Sequence, residues 1–198
     1  MQQVNSCSIT GYRGIIFLAE SYPSTKEKGA LIRYFVTCAL YEVERGTTKE
    51  EKHVAIYHHS TQVISRKSGQ SACASAAYRS AEKLYNERDG ITHDYGRKDG
   101  VVHTEILVPE NVPEWATNRE KLWNEVEKAE KRVDSQLARE VNIALPTELN
   151  REEQIKLVTE YAKENYVDKG MIADVCVHDK GDGNPHAHIM LTLRDIDK

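Results

Sequence analysis

Two apolar runs near the C-terminus constrain the fold more than any other feature. "MIADVCVH" at 171–178 and "HAHIMLTLR" at 186–194 read as strands, and they flank the connector "DKGDGNP". The connector is rich in Gly, Asp, Asn and Pro, so it suits a hairpin between them. Side chains alternate along a strand, which puts His186 and His188 on one side. If His178 lies opposite His186 in an antiparallel pair, all three imidazoles share a single face.

That cluster has two readings. One is an exposed hairpin that carries histidines. The other is a metal site, because three imidazoles can bind a divalent cation and leave positions open for a substrate. The third histidine, placed by the hairpin register, favours the metal. An all-histidine set implies one ion acting as a Lewis acid, whereas two-metal nucleases cluster carboxylates. Asp179 and Asp182 read as solvated or turn-forming residues rather than ligands.

The rest of the chain gives three more strands and three main helices. "VAIYHHSTQVI" at 54–64 is β-branched and aromatic, a strand signal. A turn "SRKSGQ" leads into "SACASAAYRSAEKLYNE" at 71–87, a helix with Ser71 as its N-cap. "RDGITHDYGRKDG" is a loop or small hairpin, and "VVHTEILVP" at 101–109 is a strand that stops at Pro109. Residues 114–137 read as a helix with Trp115, Leu122, Trp123, Val126 and Ala129 on an apolar stripe. "REVNIALP" at 139–146 is a strand with Val141, Ile143 and Leu145 on one face and Glu140, Asn142 and Ala144 on the other. "NREEQIKLVTEYAKENYVDKG" at 150–170 is a helix capped by Asn150, with Ile155, Val158, Tyr161 and Ala162 inward and Gly170 after its end. These elements lack a regular βαβ alternation. The predicted class is α+β, a largely antiparallel sheet of about five strands with packed helices.

Composition excludes several alternatives. The chain has 198 residues, 39% hydrophobic and 29% charged, which suits one soluble domain with a real core. A net charge of −4 gives no global basic field, so any nucleic-acid contact must use a local basic face. Cys7, Cys38, Cys73 and Cys176 are scattered, without a CxxC pair, which argues for a reducing cytoplasmic setting. No stretch approaches the roughly 20 apolar residues of a membrane span. Residues 1–53 are weakly patterned, and they read as a poorly ordered extension with one short helix or strand near 30–43. Tyr78 sits among small residues, sharing a helix face with Ala74, Ser75, Ala81 and Glu82. On its own it reads as packing. Arg66, Lys67, Arg79 and Lys83 nearby are candidates for phosphate contacts, or else a solvated face.

Three motifs, in order, give these pieces a common meaning. "AIYHHSTQVISRKSGQSACASAAYRS" at 55–80, "REVNIALP" at 139–146 and "HDKGDGNPHAHIML" at 178–191 resemble the MobA/MobL family of plasmid mobilisation relaxases, within the HUH endonuclease group. The intervening "YNERDGITHDYGRKDGVVHTEILVPENVPEWA" also looks like that family, so the likeness runs nearly unbroken from Val54. The resemblance implies a relaxase-like fold and nicking of one DNA strand at a transfer origin, oriT, for conjugative mobilisation. It implies Tyr78 as the nucleophile, with a 5′-phosphotyrosine intermediate. His178, His186 and His188 would hold one divalent metal, Mg²⁺ or Mn²⁺. Glu140 would orient a ligating histidine or help deprotonate Tyr78. Where the family often carries a second acidic residue two positions on, this chain has Asn142. Implied partners are single-stranded or supercoiled oriT DNA, accessory relaxosome proteins and a type IV secretion coupling protein.

Both ends depart from the resemblance. Relatives begin close to the "AIYH" strand, so the domain is expected to span 54–198. Residues 1–53 then read as a mis-assigned start, with Val54 at a GTG codon and the "KEEK" codons as a ribosome-binding run. The domain is also expected to be truncated beyond its last strand. Two other readings of function stand beside the relaxase. One is a rolling-circle replication initiator of the same group, and the other is an inactive remnant that binds DNA or metal.

Overall fold

The computed structural model describes residues 58–194 and 196, together with the backbone of two short strands. Those strands, β1 (Ile15–Ala19) and β2 (Val36–Leu40), pair antiparallel as a sheet of their own. β2 falls within the stretch expected to hold one short element, and β1 was not anticipated. The reading of residues 1–53 as an extension starting ahead of Val54 otherwise lies outside the described residues.

The main sheet has five strands: β3 (His59–Ser65), β6 (Val101–Leu107), β7 (Gln136–Ala144), β8 (Ala173–His178) and β9 (His186–Leu191). Their order is β3-β7-β9-β8-β6, and every neighbouring pair is antiparallel. With helices α1 (Ala72–Ser80), α2 (Arg119–Ala129) and α3 (Arg151–Asn165), this is the expected α+β class. β4 (Lys83–Asn86) and β5 (Ile91–Asp94) form a small separate ribbon.

Alternation gives the sheet two different faces. Val141, Ala173, Val175, Val177, Ala187, Ile189 and Leu191 form one, sealed by Val158 and Ala162 of α3. The buried centre of that face is apolar. On the other, Ile64, Ala138 and Met190 pack under Ala72, Cys73, Ala76 and Ala77 of α1 and Leu122 and Trp123 of α2. The second face also carries the polar side chains that matter below.

Three boundaries differ from the sequence expectation. The first helix ends at Ser80 rather than near 87, because Ala81 takes a left-handed backbone with φ of 57°. Beyond it, Leu84 and Asn86 are buried while Lys83 and Tyr85 are exposed. That period of two outweighs the helix propensity of "AEKLYNE". The helix expected over 114–137 is instead a single 3₁₀ turn at Glu114–Thr117 followed by α2. Asn118 breaks the two apart, since its side chain caps α2 by accepting from the Lys121 amide at 3.0 Å. Third, β7 begins at Gln136, inside the stretch read as helix. The third helix starts as expected, with a capping box in which Asn150 and Glu153 exchange bonds of 3.0 and 2.9 Å, but it ends at Asn165, and a 3₁₀ turn at Val167–Lys169 leads to Gly170. Among the described residues, no helix is long and apolar enough to cross a membrane.

One buried polar network joins α2 to the sheet. Asp174, in the wholly buried strand β8, accepts from Arg119 Nε at 2.9 Å, Arg119 Nη2 at 2.9 Å and Trp123 Nε1 at 2.9 Å. Arg119 also pairs with Glu82, just past α1. A carboxylate this deep is tolerable because its oxygens are satisfied by charge-assisted bonds. Replacing Asp174 by Ala would strand the Arg119 guanidinium in the interior. The expected loss is about 3–5 kcal/mol, read as a lowered urea midpoint with unchanged slope.

Candidate metal centre and tyrosine site

The β8–β9 register sets His178 opposite His186 and Cys176 opposite His188. The connector between the strands turns as its composition requires. The Gly181 amide donates to Asp179 Oδ1 at 2.8 Å and the Asn184 amide to Asp182 Oδ1 at 3.2 Å. Both aspartates thus build the turn, as expected. Ring centroids of the three histidines lie 4.7 to 5.3 Å apart. One nitrogen from each ring can be chosen so that all three lie within 4.8 Å of one another.

The hydrogen bonds around the cluster decide which nitrogen that is. His178 Nε2 lies 2.7 Å from the Arg79 carbonyl oxygen, and His186 Nδ1 lies 2.8 Å from the Asn184 carbonyl oxygen. His188 Nδ1 lies 2.8 Å from Glu140 Oε1. A carbonyl or carboxylate only accepts, so each of these nitrogens carries its hydrogen. That leaves the opposite nitrogens, Nδ1 of His178 and Nε2 of His186 and His188, as the atoms the rings can offer a metal. Burial reinforces this at His178, whose pKa is pushed down to about 4, so its ring is neutral at pH 7. Three imidazoles, each oriented from behind by an acceptor, have the chemistry of a metal donor set with its supporting contacts in place. The residues fit a single divalent ion.

Glu140 is the hub behind the cluster. It lies on β7 and is 1% exposed. Its carboxylate receives His188 Nδ1, Gln62 Nε2 at 2.6 Å, and the Arg79 guanidinium through Nε and Nη2. Burial opposes its charge, but the hydrogen bonds from His188 and Arg79 and the Arg79 charge prevail, holding its pKa down to about 2. Its bonds hold the His188 ring and the Arg79 side chain in place. Asn142 shares its face and stands opposite His188 across the β7–β9 ladder.

Tyr78 lies on the last turn of α1, 48% exposed. The Tyr95 ring meets it edge-on, with centroids 5.2 Å apart and planes at 88°. Lys98 Nζ sits 3.8 Å from the Tyr78 ring centroid and donates to the Tyr78 carbonyl oxygen at 2.7 Å. Burial, with the Arg79 charge next, lowers the Lys98 pKa. The following residue, Arg79, touches His178 through its carbonyl oxygen and Glu140 through its side chain, so the tyrosine's own helix is fastened to the histidine cluster. The sequence reading did not single out Tyr95 or Lys98. Both come from "DYGRKDG", which carried no signal beyond a turn.

The four basic residues expected at DNA divide. Arg66 is bound inward by Glu127 Oε2 at 2.8 Å and by the carbonyl oxygens of Glu127, Glu130 and Arg132. Glu127 also caps the first turn of α1, accepting from the Ala72 amide at 2.8 Å. Arg79 is committed to Glu140. Both guanidiniums therefore serve the protein's own structure rather than standing free for phosphate, a correction to their expected role. Lys67 and Lys83 are exposed, and Lys83 has only a long contact of 3.9 Å to Asp94.

Comparison with known proteins places this geometry in a lineage. The model of the MobA/MobL family matches residues 70–198. The conjugal transfer protein TraA of Agrobacterium fabrum is 44% identical over 153 residues, covering 72% of this chain but 14% of TraA. The mobilization protein MobL of Acidithiobacillus ferridurans is 43% identical over 125 residues, covering 63% of this chain and 32% of MobL. A solved structure described as the molecular basis of vancomycin resistance transfer in Staphylococcus aureus superimposes with a TM-score of 0.69 at 39% identity, over 73% of each chain. The chain thus spans a small part of the curated relatives it matches. By sequence motif, family model and fold together, it belongs to the MobA/MobL family.

Proposed function

We propose that this chain is the nicking domain of a mobilisation relaxase, which cuts one strand of plasmid DNA at a transfer origin by way of Tyr78. The observation that carries this reading is the fastening of the Tyr78 helix, through Arg79 and Glu140, to two of three clustered imidazoles, His178 and His188. Relatives bearing conjugal transfer and mobilization names support the choice of DNA as substrate.

The chemistry follows from the residues. A phenol has a pKa of about 10, so it needs an electrophile made more reactive nearby. His178, His186 and His188 would hold a divalent ion, which would supply Lewis-acid positive charge to a bound phosphate. An all-nitrogen donor set suits Mn²⁺ or a neighbouring transition ion better than Mg²⁺, which prefers oxygen ligands. The Tyr78 oxygen loses its proton to water and bonds to phosphorus, while the bond to the 3′ oxygen breaks and that oxygen leaves as a hydroxyl. One phosphate ester replaces another, so the step is reversible and the strand can be rejoined. Lys98, against the Tyr78 ring, steadies the attacking group and adds positive charge near the phosphate. Lys67 and Lys83, both exposed, are the proposed contacts to the DNA backbone. Accessory relaxosome proteins, a type IV secretion coupling protein and a cytoplasmic setting accompany this reading.

Three outcomes are expected. With Mn²⁺ and supercoiled plasmid bearing the cognate origin, Tyr78→Phe abolishes both nicking and covalent DNA attachment on denaturing gels. Normal nicking by that variant would rule Tyr78 out as nucleophile. Chelation by EDTA stops the reaction, and added Mn²⁺ restores it. Lys98→Met slows nicking by about tenfold, the scale of one cation–π contact, without changing the melting temperature.

The orienting role of Glu140 predicts a pH signature in stability. Its pKa is lower in the folded chain than the ordinary 4.5, so its stabilisation is fully present above pH 4.5 and is lost as pH falls toward 2. Urea midpoints taken between pH 6 and pH 2.5 should fall more steeply for the wild type than for Glu140→Gln.

A further inference from the structure

Arg79 was expected at the DNA backbone, and its side chain turns the other way. Its guanidinium reaches both oxygens of Glu140 through Nε and Nη2, and Nη1 donates to the Ser75 carbonyl oxygen at 2.9 Å. Its own carbonyl oxygen receives His178 Nε2 at 2.7 Å. Glu140 in turn fixes His188 Nδ1 at 2.8 Å. Two of the three imidazoles are thereby oriented by one residue, directly or through a single carboxylate. That residue is next in sequence to Tyr78, in the last turn of the same helix. The guanidinium side chain is 14% exposed and its carboxylate partner 1%, so the contact is shielded from water, where charge-assisted forks are strongest.

We propose that Arg79 is a positioning residue that couples occupancy of the histidine site to the order of the helix carrying Tyr78. The inference rests on the relaxase reading for the roles of metal and tyrosine, but the coupling itself is a property of this chain. An ion held by His178 and His188 draws on ring orientations that Arg79 maintains. By reciprocity, binding the ion strengthens the anchorage of the last turn of α1. Sequence order makes the coupling short: the residue that holds the cage also sets where its neighbour points.

Calorimetric titration with Mn²⁺ and hydrogen exchange of the 72–82 segment test this without any nicking assay. In the wild type, Mn²⁺ should slow exchange in the last turn of α1. Arg79→Lys keeps a charge but loses the planar fork, and should weaken Mn²⁺ by about 10- to 100-fold, the usual scale for a contact behind a metal ligand. Added Mn²⁺ should then give less protection, compared at equal site occupancy. Should Arg79→Lys fold poorly, Arg79→Met combined with Glu140→Gln removes the buried charge pair together and should show the same two losses. Wild-type Mn²⁺ affinity in either folded variant, or undiminished protection of α1 at equal occupancy, would overturn the coupling. Failure of the wild type to bind Mn²⁺ would overturn the metal reading with it. Normal nicking by Tyr78→Phe would instead remove the tyrosine's role and leave the coupling standing.

Discussion

A carboxylate buried to 1% exposure cannot stay ionised unless its surroundings replace water, and at Glu140 they do. Gln62 comes from β3, Arg79 from α1 and His188 from β9, while Glu140 itself lies on β7. Four elements thus meet at one charge. The sheet supplies the two ladders that hold Gln62 and His188 on either side of β7, and the helix is drawn down by its arginine. The anchorage of the last turn of α1 and the tautomer of His188 both follow from satisfying that charge. A second charge, Asp174, does the same work for α2 through Arg119 and Trp123.

These two polar anchors explain the division between the faces of the sheet. Beneath α3 the packing is hydrophobic, non-directional and dominated by Val, Ile, Leu and Ala. Under α1 and α2, directional bonds are set into an apolar surround. Packing alone tolerates small slides of a helix over a sheet. Forked ion pairs do not, and the proposed presentation of Tyr78 to a phosphate needs that restraint.

Much of this was legible in the sequence. The hairpin between β8 and β9, the facing of His178 and His186, and the caps at Ser71 and Asn150 came from period-two alternation, turn composition and capping rules. These are local signals. What was missed depends on distance in the chain. Nothing in "YRS" reveals that Arg79 will find Glu140 sixty-one residues on. Arg66 looked like a surface cation for the same reason, because its partner Glu127 lies on another helix. The early end of α1 was hidden by the good helix propensity of "AEKLYNE", which tertiary pairing of β4 with β5 overrides.

The alanine content of α1 has its own consequence. Ala72, Cys73, Ala76, Ala77 and Ser80 make up the buried side of this helix. Small side chains let a helix backbone settle close to the surface below, so the thickness of that layer is set by methyl groups. It serves as a spacer, and its depth sets how close the backbone that carries Tyr78 lies to the core beneath it. Evolution can therefore alter the reach of the site by changing volume on the hidden side of α1, leaving every residue that does chemistry as it is.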